Sequence, residues 1–173
     1  MRILDDLEIG VMFWAEPPAA AAIRRAKAAG LRCGQLGIPP EMRLEGAAGE
    51  WRQALEAEDF TLVTVFAAFS GESYADIPTV RRTVGFVPPE SRAARLARML
   101  EVSDFAAELG AGSIACHIGC IPEDPDEPDY FEVVDVVRRI ADHAGRRGQT
   151  FALETGQESA RVLLRFIQDV ARA

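Results

Sequence analysis

Residues 61–66, Thr-Leu-Val-Thr-Val-Phe, are the segment that decides the fold of this 173-residue chain. Four of its six side chains are β-branched, and β-branched residues favour strands. Apolar side chains fall on both faces, with Leu62 and Phe66 on one face and Val63 and Val65 on the other. Such a strand is typical of a parallel sheet covered by helices, because antiparallel strands usually alternate apolar and polar residues. The segment therefore predicts an α/β fold.

The same strand-then-helix pattern repeats on either side of this segment. Further apolar strands are predicted at residues 9–14, 32–38, 113–118 and 150–154. Helical patterns follow the five strands in turn, at an Ala-rich stretch ending at Gly30 and at residues 50–58, 90–109, 129–144 and 162–170. We predict about five parallel strand–helix units in a single domain covering residues 1–173. An open doubly wound sheet and a (β/α) barrel both fit this pattern.

Length sets a limit on the barrel alternative. A complete (β/α)₈ TIM barrel needs about 250 residues, whereas this chain has 173. If the fold is a barrel, it is a partial one that lacks roughly three of the eight units. We then expect unpaired edges on the first and fifth strands and inner faces without full cover at Val11, Val63, Val65 and Ile114 or their neighbours. Such surfaces predict a homo-oligomer joined through the exposed sheet edges.

Composition excludes several classes of partner. The chain has 19 basic and 27 acidic residues and a net charge of −8, which disfavours binding to nucleic acid because phosphate backbones attract basic patches. No apolar run approaches the roughly 20 residues of a membrane span, and the first ten residues lack the apolar core of a signal peptide. The three cysteines are an odd number and predict reduced thiols. We expect a cytoplasmic protein that contacts neither membrane nor nucleic acid.

Functional residues of parallel α/β folds project from the carboxyl ends of the strands. Glu154 is the sharpest candidate, because it directly follows the apolar residues Phe151-Ala-Leu and precedes a Thr-Gly turn. A carboxylate at this position is partly desolvated, which fits three interpretations. It binds a metal ion, it transfers a proton, or it caps the next helix or pairs with an Arg. These alternatives stay open. The other candidates are Phe13, Trp14, Glu16, Gln35, Pro39, Phe69, Glu72, His117, Cys120, Glu123, Gln157 and Glu158.

Three of these candidates also have interpretations as structural residues. A hydrogen-bonded core residue is the simpler interpretation of His117 taken alone, and Phe13 and Trp14 either wall a substrate pocket or pack the end of the barrel. Glu72 lies in the segment 70–89, which predicts an irregular lid over the strand ends because it is long and carries many apolar residues.

Two short motifs carry a resemblance to the xylose isomerase-like TIM-barrel family, which includes sugar phosphate isomerases and epimerases and endonuclease IV. The motifs are His117-Ile-Gly with Pro122, and Ala152-Leu-Glu-Thr-Gly with Glu158, and the likeness extends along the whole chain. The resemblance implies that Glu154 is a ligand of Mg²⁺ or Mn²⁺ and transfers a proton. It also implies that His117 lies near a sugar or sugar-phosphate substrate. Trp14, Phe13 and Glu72 are predicted as further substrate-binding residues because they follow the carboxyl ends of the first and third strands.

The same resemblance places the remaining metal ligands and the second proton-transferring glutamate on later strands, beyond residue 173. One carboxylate neither holds a catalytic divalent ion nor completes a two-base proton transfer. We therefore expect a metal-dependent sugar isomerase or epimerase that is truncated here, inactive alone, and without metal or with weakly bound metal. The alternative is a non-catalytic partial barrel that self-associates. An endonuclease IV-like nuclease is a minor variant, disfavoured by the net charge of −8.

Overall fold

The computed structural model of the protein describes residues 8–154 and 156–171. Strands and helices alternate along the chain, as the sequence pattern predicts. Their bounds are β1 Val11–Trp14, α1 Ala19–Lys27, β2 Cys33–Ile38, α2 Ala48–Glu58, β3 Thr61–Ala67, α3 Ile77–Thr83, α4 Pro89–Glu108, β4 Ser113–His117, α5 Pro128–Gly145, β5 Thr150–Glu154 and α6 Ala160–Val170. The strands are all parallel and form one sheet in the order β1-β2-β3-β4-β5. The predicted α/β fold, a partial (β/α)₈ barrel, is confirmed.

The helices cover one face of this sheet. A central row of side chains, formed by Leu36, Val65 and Ile114 on neighbouring strands, is completely buried beneath them. The helical pattern predicted at residues 129–144 is also confirmed by α5, whose residues Tyr130, Val133, Val137 and Ile140 form a buried apolar stripe. Among the described residues no helix is long and apolar enough to cross a membrane.

The opposite face of the sheet, which would be the interior of a barrel, is largely open. Met12 and Trp14 are each 43% exposed and Val63 is 55% exposed. Of the residues expected to lack cover, Val65 and Ile114 are instead buried in the helical layer. For Val65 the reason is a bulge in β3: Gly34 pairs with Leu62 but Gln35 pairs with Thr64, so Val63 is skipped and the alternation of faces shifts. Ile114 pairs with Val65 in the parallel register and lies on the same face. Val63 and Val65 therefore lie in different environments.

The predicted irregular lid contains a short helix. Residues 77–83 form α3, and the Asp76 side chain accepts a hydrogen bond of 2.7 Å from the backbone N–H of Thr79. Asp at the N-cap followed by Pro78 in the first turn is a helix-start signal, which the apolar composition of the segment obscures. The lid is thus partly regular, and it lies beside the carboxyl ends of β3 and β4 because Phe86 N–H donates to the Ile118 carbonyl at 2.9 Å.

Candidate active site

His117 and Glu154 lie side by side at the carboxyl end of the sheet. They are the last residues of β4 and β5, and the parallel register pairs them directly. Glu154 is exposed, although its apolar strand predicts partial desolvation. The difference arises because β5 is the edge strand of the described sheet, so no further strand in the described part of the chain lies beside the carboxylate. An exposed carboxylate next to an imidazole is a chemically available pair.

His117 is a buried, hydrogen-bonded residue that also lies at the carboxyl end of the sheet, here called the strand mouth. It is 7% exposed, and its Nδ1 accepts a hydrogen bond of 3.0 Å from the backbone N–H of Gly119. Because Nδ1 is the acceptor, the neutral imidazole carries its proton on Nε2. The Tyr74 ring contacts the imidazole edge-on with 6.1 Å between ring centroids. His117 therefore presents an N–H donor at Nε2.

Glu72 approaches His117 but turns its oxygens toward the backbone. Its Oε2 accepts a hydrogen bond from Phe69 N–H at 3.2 Å, and its Oε1 accepts one from Gly85 N–H at 2.9 Å. Burial raises the pKa of Glu72 above its ordinary value, and the two N–H donors, Arg95 and His117 offset part of that rise. Both oxygens are engaged within the protein, so the structure places Glu72 behind the mouth.

Trp14 and Phe13 point to opposite faces of β1, as adjacent strand residues must. Phe13 packs edge-on against Phe60 in the helical layer, with 5.5 Å between ring centroids. Trp14 lies on the open face over Gly37, where a Cβ would lie 2.6 Å from the indole Cε3. The absence of a side chain at Gly37 thus makes room for the indole. Trp14 also borders a cavity of about 690 Å³, whose other lining residues include Glu16, Pro39 and Trp51.

The remaining candidates are spread around the same end of the sheet. Glu16 forms an ion pair of 2.6 Å with Arg25, and Glu158 accepts a hydrogen bond of 2.9 Å from Gly156 N–H through Oε1. Cys120 borders a separate cavity of about 340 Å³, and burial raises the pKa of its thiol. Glu123, Gln157 and Glu158 line that cavity with it, Gln35 faces Met12 across the β1–β2 pair, and Phe69 packs on Phe86.

Two residues at the site were missed by reasoning from sequence. Tyr74 contacts His117, and burial together with the carboxylates of Glu72 and Glu154 raises the pKa of its phenol. Arg95, on α4, is only 5% exposed and donates to the backbone carbonyls of Gly85 and Ser70. The position of Tyr74 in the predicted lid was a signal in the sequence that could have identified it as a residue of the site. Nothing in the local pattern of α4 distinguishes Arg95 from its exposed neighbours.

The described residues do not by themselves fit a catalytic divalent metal ion. No group of three or more His, Cys, Asp or Glu side chains in that part of the chain converges on a common point. Glu154 offers one carboxylate, whereas Mg²⁺ requires octahedral coordination by about six oxygen ligands, some of them water.

Functional side chains of parallel β/α folds project from the carboxyl ends of the strands, and His117 and Glu154 lie at that end of this sheet. The chain belongs to the xylose isomerase-like TIM barrel family, whose model matches residues 23–173. A comparison with curated proteins found no match.

Solved structures of similar proteins agree with the family assignment. The xylose isomerase domain protein from Planctomyces limnophilus is 42% identical, with a TM-score of 0.87 over 95% of this chain and 58% of its own. A xylose isomerase-like TIM barrel protein from Mycobacterium smegmatis in complex with magnesium is 17% identical, with a TM-score of 0.69 over 99% of this chain and 64% of its own. D-allulose 3-epimerase from Methylomonas sp. in complex with D-allulose is 14% identical, with a TM-score of 0.68 over 95% of this chain and 60% of its own.

The last two structures show likeness of fold alone, because their identity is low. The chain spans 58–64% of the length of these three structures.

Proposed function

We propose that this chain carries the first five units of a sugar or sugar-phosphate isomerase or epimerase site that works by proton transfer. The observation that supports it best is the direct pairing of His117 with Glu154 at the strand mouth. A carboxylate and an N–H donor side by side are the groups needed to move a proton beside a carbonyl and to stabilise the oxygen where charge develops. Family membership and the sugar named for the Methylomonas structure agree with this class of substrate.

Each residue has a distinct proposed role. Glu154 transfers a proton to or from a sugar carbon and, in a complete barrel, also contributes one ligand to Mg²⁺ or Mn²⁺. His117 donates from Nε2 to a sugar oxygen, and Trp14 provides an aromatic wall for the C–H face of the sugar. Phe13 and Glu72 act indirectly, because Phe13 packs in the helical layer and Glu72 binds backbone N–H groups.

The 173 residues alone are proposed to bind sugar without turning it over. A two-base proton transfer needs a second carboxylate on the other side of the substrate. In the described residues Glu72, which lies near His117, has both oxygens hydrogen-bonded to backbone N–H groups. Binding and turnover are therefore tested separately.

Binding is tested by titrating the chain with D-fructose and D-allulose while following tryptophan emission. The chain has two tryptophans, of which Trp51 is 2% exposed and Trp14 is 43% exposed. A sugar at the mouth should change the emission of Trp14 more than that of Trp51, which lines the same cavity but is almost completely buried. The variant Trp14→Phe is the matched control and should remove most of the response. A response of unchanged size in Trp14→Phe, or no response at any sugar concentration, contradicts the proposal.

Turnover is tested in a chimera that joins residues 1–173 to the remaining β/α units of the Planctomyces limnophilus relative, chosen for its 42% identity. With Mg²⁺ or Mn²⁺ the chimera should exchange a carbon-bound sugar hydrogen with D₂O, observed by NMR. Glu154→Gln should reduce exchange by about 10²-fold or more, within the range for a general acid or base. Glu123→Gln, which alters an exposed carboxylate after β4 in the separate cavity beside Cys120, should have little effect. Equal exchange in Glu154→Gln and the unaltered chimera contradicts the assignment.

A self-associating, non-catalytic partial barrel is the second candidate function. It is supported by the edges of β1 and β5, which pair with no further strand among the described residues, and by the exposure of Met12, Trp14 and Val63 on the uncovered face. Apolar surface of this kind marks an interface or an aggregation liability. This candidate predicts a stable homo-oligomer with no sugar response, whereas the first predicts that sugar perturbs Trp14.

A further inference from the structure

Gly85 is held from both sides by two charged side chains of the lid region. The Glu72 carboxylate accepts a hydrogen bond from Gly85 N–H at 2.9 Å, and Arg95 Nη1 donates to the Gly85 carbonyl at 2.5 Å. Arg95 Nη2 also donates to the Ser70 carbonyl at 3.0 Å, which ties the start of the lid to the same guanidinium. Hydrogen bonds with a charged partner are about twice as strong as neutral ones. Glu72 and Arg95 therefore fix the position of Gly85.

The fixed glycine lies directly against the peptide that follows β4. Gly85 has φ +70°, and a Cβ there would lie 2.0 Å from the Ile118 carbonyl carbon and 2.1 Å from Gly119 N. Phe86 N–H donates to the Ile118 carbonyl at 2.9 Å, which links the two segments beside the contact. Since no side chain fits between them, a displacement of Gly85 would change the packing of the turn after β4.

That same peptide determines the state of His117. Gly119 adopts φ +96°, a conformation that L side chains rarely adopt, and its N–H points back to Nδ1 of His117 at 3.0 Å. A Cβ on Gly119 would lie 2.6 Å from the Val84 carbonyl oxygen, so the lid also limits the conformation of this turn. If the turn relaxed, Nδ1 would lose its donor and the two neutral tautomers of the imidazole would both become populated.

We propose that Glu72 and Arg95 are positioning residues, which hold Gly85 on the Ile118–Gly119 peptide and thereby keep His117 as a hydrogen-bond donor through Nε2. Neither residue needs to touch a substrate for this role. The use of the Nε2 donor toward a sugar rests on the proposed function, but the control of the tautomer does not. Glu72 in the lid and Arg95 on α4 thus influence the strand mouth indirectly, through Gly85.

The tautomer is measured by ¹⁵N NMR of the imidazole nitrogens at neutral pH. The chain contains two histidines, and the second, His143, is hydrogen-bonded to Asp104 at 2.8 Å, so the signals are assigned with the variant His143→Gln. In the unaltered protein His117 should show a protonated Nε2 and a scalar coupling between Gly119 N and Nδ1 across the hydrogen bond. A protonated Nδ1 in this sample overturns the inference without any variant.

The variant Glu72→Gln tests the positioning step. Glutamine has one acceptor oxygen in place of two, so either Phe69 N–H or Gly85 N–H loses its partner. We expect amide exchange at Gly85 and Gly119 to become about tenfold faster or more, consistent with loss of a charged hydrogen bond, and the Nδ1 coupling to weaken as a second tautomer appears. Asp76→Asn is the matched control, because it removes one negative charge from the same lid and retains an N-cap for α3. It should leave both readouts unchanged.

A folded Glu72→Gln variant with an unchanged His117 tautomer and unchanged Gly119 exchange overturns the proposal. If Glu72→Gln does not fold, Arg95→Lys is used in its place, because lysine keeps the charge but cannot hold the Gly85 and Ser70 carbonyls with a rigid fork. It should again populate the second tautomer, and an unchanged tautomer overturns the proposal. Adding D-fructose to the unaltered sample separates the two proposals: a His117 Nε2 signal that ignores sugar counts against the proposed function and not against the positioning role.

Discussion

Replacing Gly85 with alanine should destabilise the protein much more than replacing Gly71, although both glycines have similar positive φ values of +70° and +81°. An L side chain in this left-handed region costs about 1–2 kcal/mol. At Gly71 the nearest atom to an added Cβ is Arg95 Nη2 at 3.9 Å, which is ordinary contact. Gly71→Ala should therefore lose only about 1–2 kcal/mol of unfolding free energy.

At Gly85 the added Cβ would lie 2.0 Å from the Ile118 carbonyl carbon, whereas ordinary contacts begin at 3.4 Å. The two segments must separate by more than an ångström, which removes the hydrogen bond from Phe86 to Ile118 and weakens the charged hydrogen bond from Gly85 to Glu72. These losses are worth about 1 and about 1.5–3 kcal/mol. Together with the cost of positive φ, Gly85→Ala should lose about 3–6 kcal/mol.

The assay is urea unfolding of both variants and the unaltered chain at one fixed protein concentration, followed by far-UV circular dichroism. A typical domain is stable by 5–15 kcal/mol, so Gly85→Ala should have a greatly lowered midpoint or be partly unfolded in buffer, while Gly71→Ala stays folded. The two variants differ only in what the new methyl group meets. Unfolding free energies within about 1 kcal/mol of each other would refute the inference that the lid packs directly on the turn after β4.

Four further outcomes are expected. Calorimetry with Mg²⁺ or Mn²⁺ should show only weak binding to the 173-residue chain, since Glu154 offers one carboxylate. A dissociation constant of about 1 μM or lower would contradict this. Amide exchange should be faster in the exposed lid residues 74–78 than in residues 61–66, because the hydrogen bonds of Glu72 and Arg95 hold Gly85 and not that part of the lid; equal protection would contradict this. Light scattering at tens of micromolar should show self-association through the open edges of β1 and β5, whereas a stable folded monomer would exclude it. Burial raises the pKa of Glu72 in the folded protein above its ordinary value of 4.5. The contribution of Glu72 to the free energy of unfolding should therefore be largest below pH 4.5 and decline as the pH rises through the folded-state pKa. The same pH dependence of unfolding in the Glu72→Gln variant would argue against this.

The elements and the strand end that carries the site were predictable from local patterns. The β-branched run at residues 61–66 and the apolar stripe of α5 depend only on residues close in the chain, so periodicity predicts them. His117 and Glu154 could be selected without any contact information, because the carboxyl ends of parallel strands lie on one edge. Their direct pairing then follows from the register of β4 with β5.

The orientation of side chains was decided by the tertiary structure. Alternation predicts that Phe13 and Trp14 face opposite ways, but only the pairing with β2 and the contact with Phe60 show that Trp14 is the one on the open face. Val63 and Val65 are two residues apart and would lie on the same face of a regular strand. The bulge in β3 places them in different environments. A bulge is a property of two paired strands, so one strand's sequence does not reveal it.

The contacts that hold the turn after His117 in place could not be predicted from the sequence. Glu72, Gly85 and Arg95 lie far along the chain from the Ile118–Gly119 peptide, and their roles exist only once the lid folds back on β4. A carboxylate in a long lid suggests substrate contact, whereas two backbone N–H groups take up its oxygens in the folded chain. Sequence alone determined which residues form the strands, the helices and the strand mouth, because those depend on local periodicity. The tertiary structure decided which polar atoms remain free, because hydrogen bonds between distant segments compete for them.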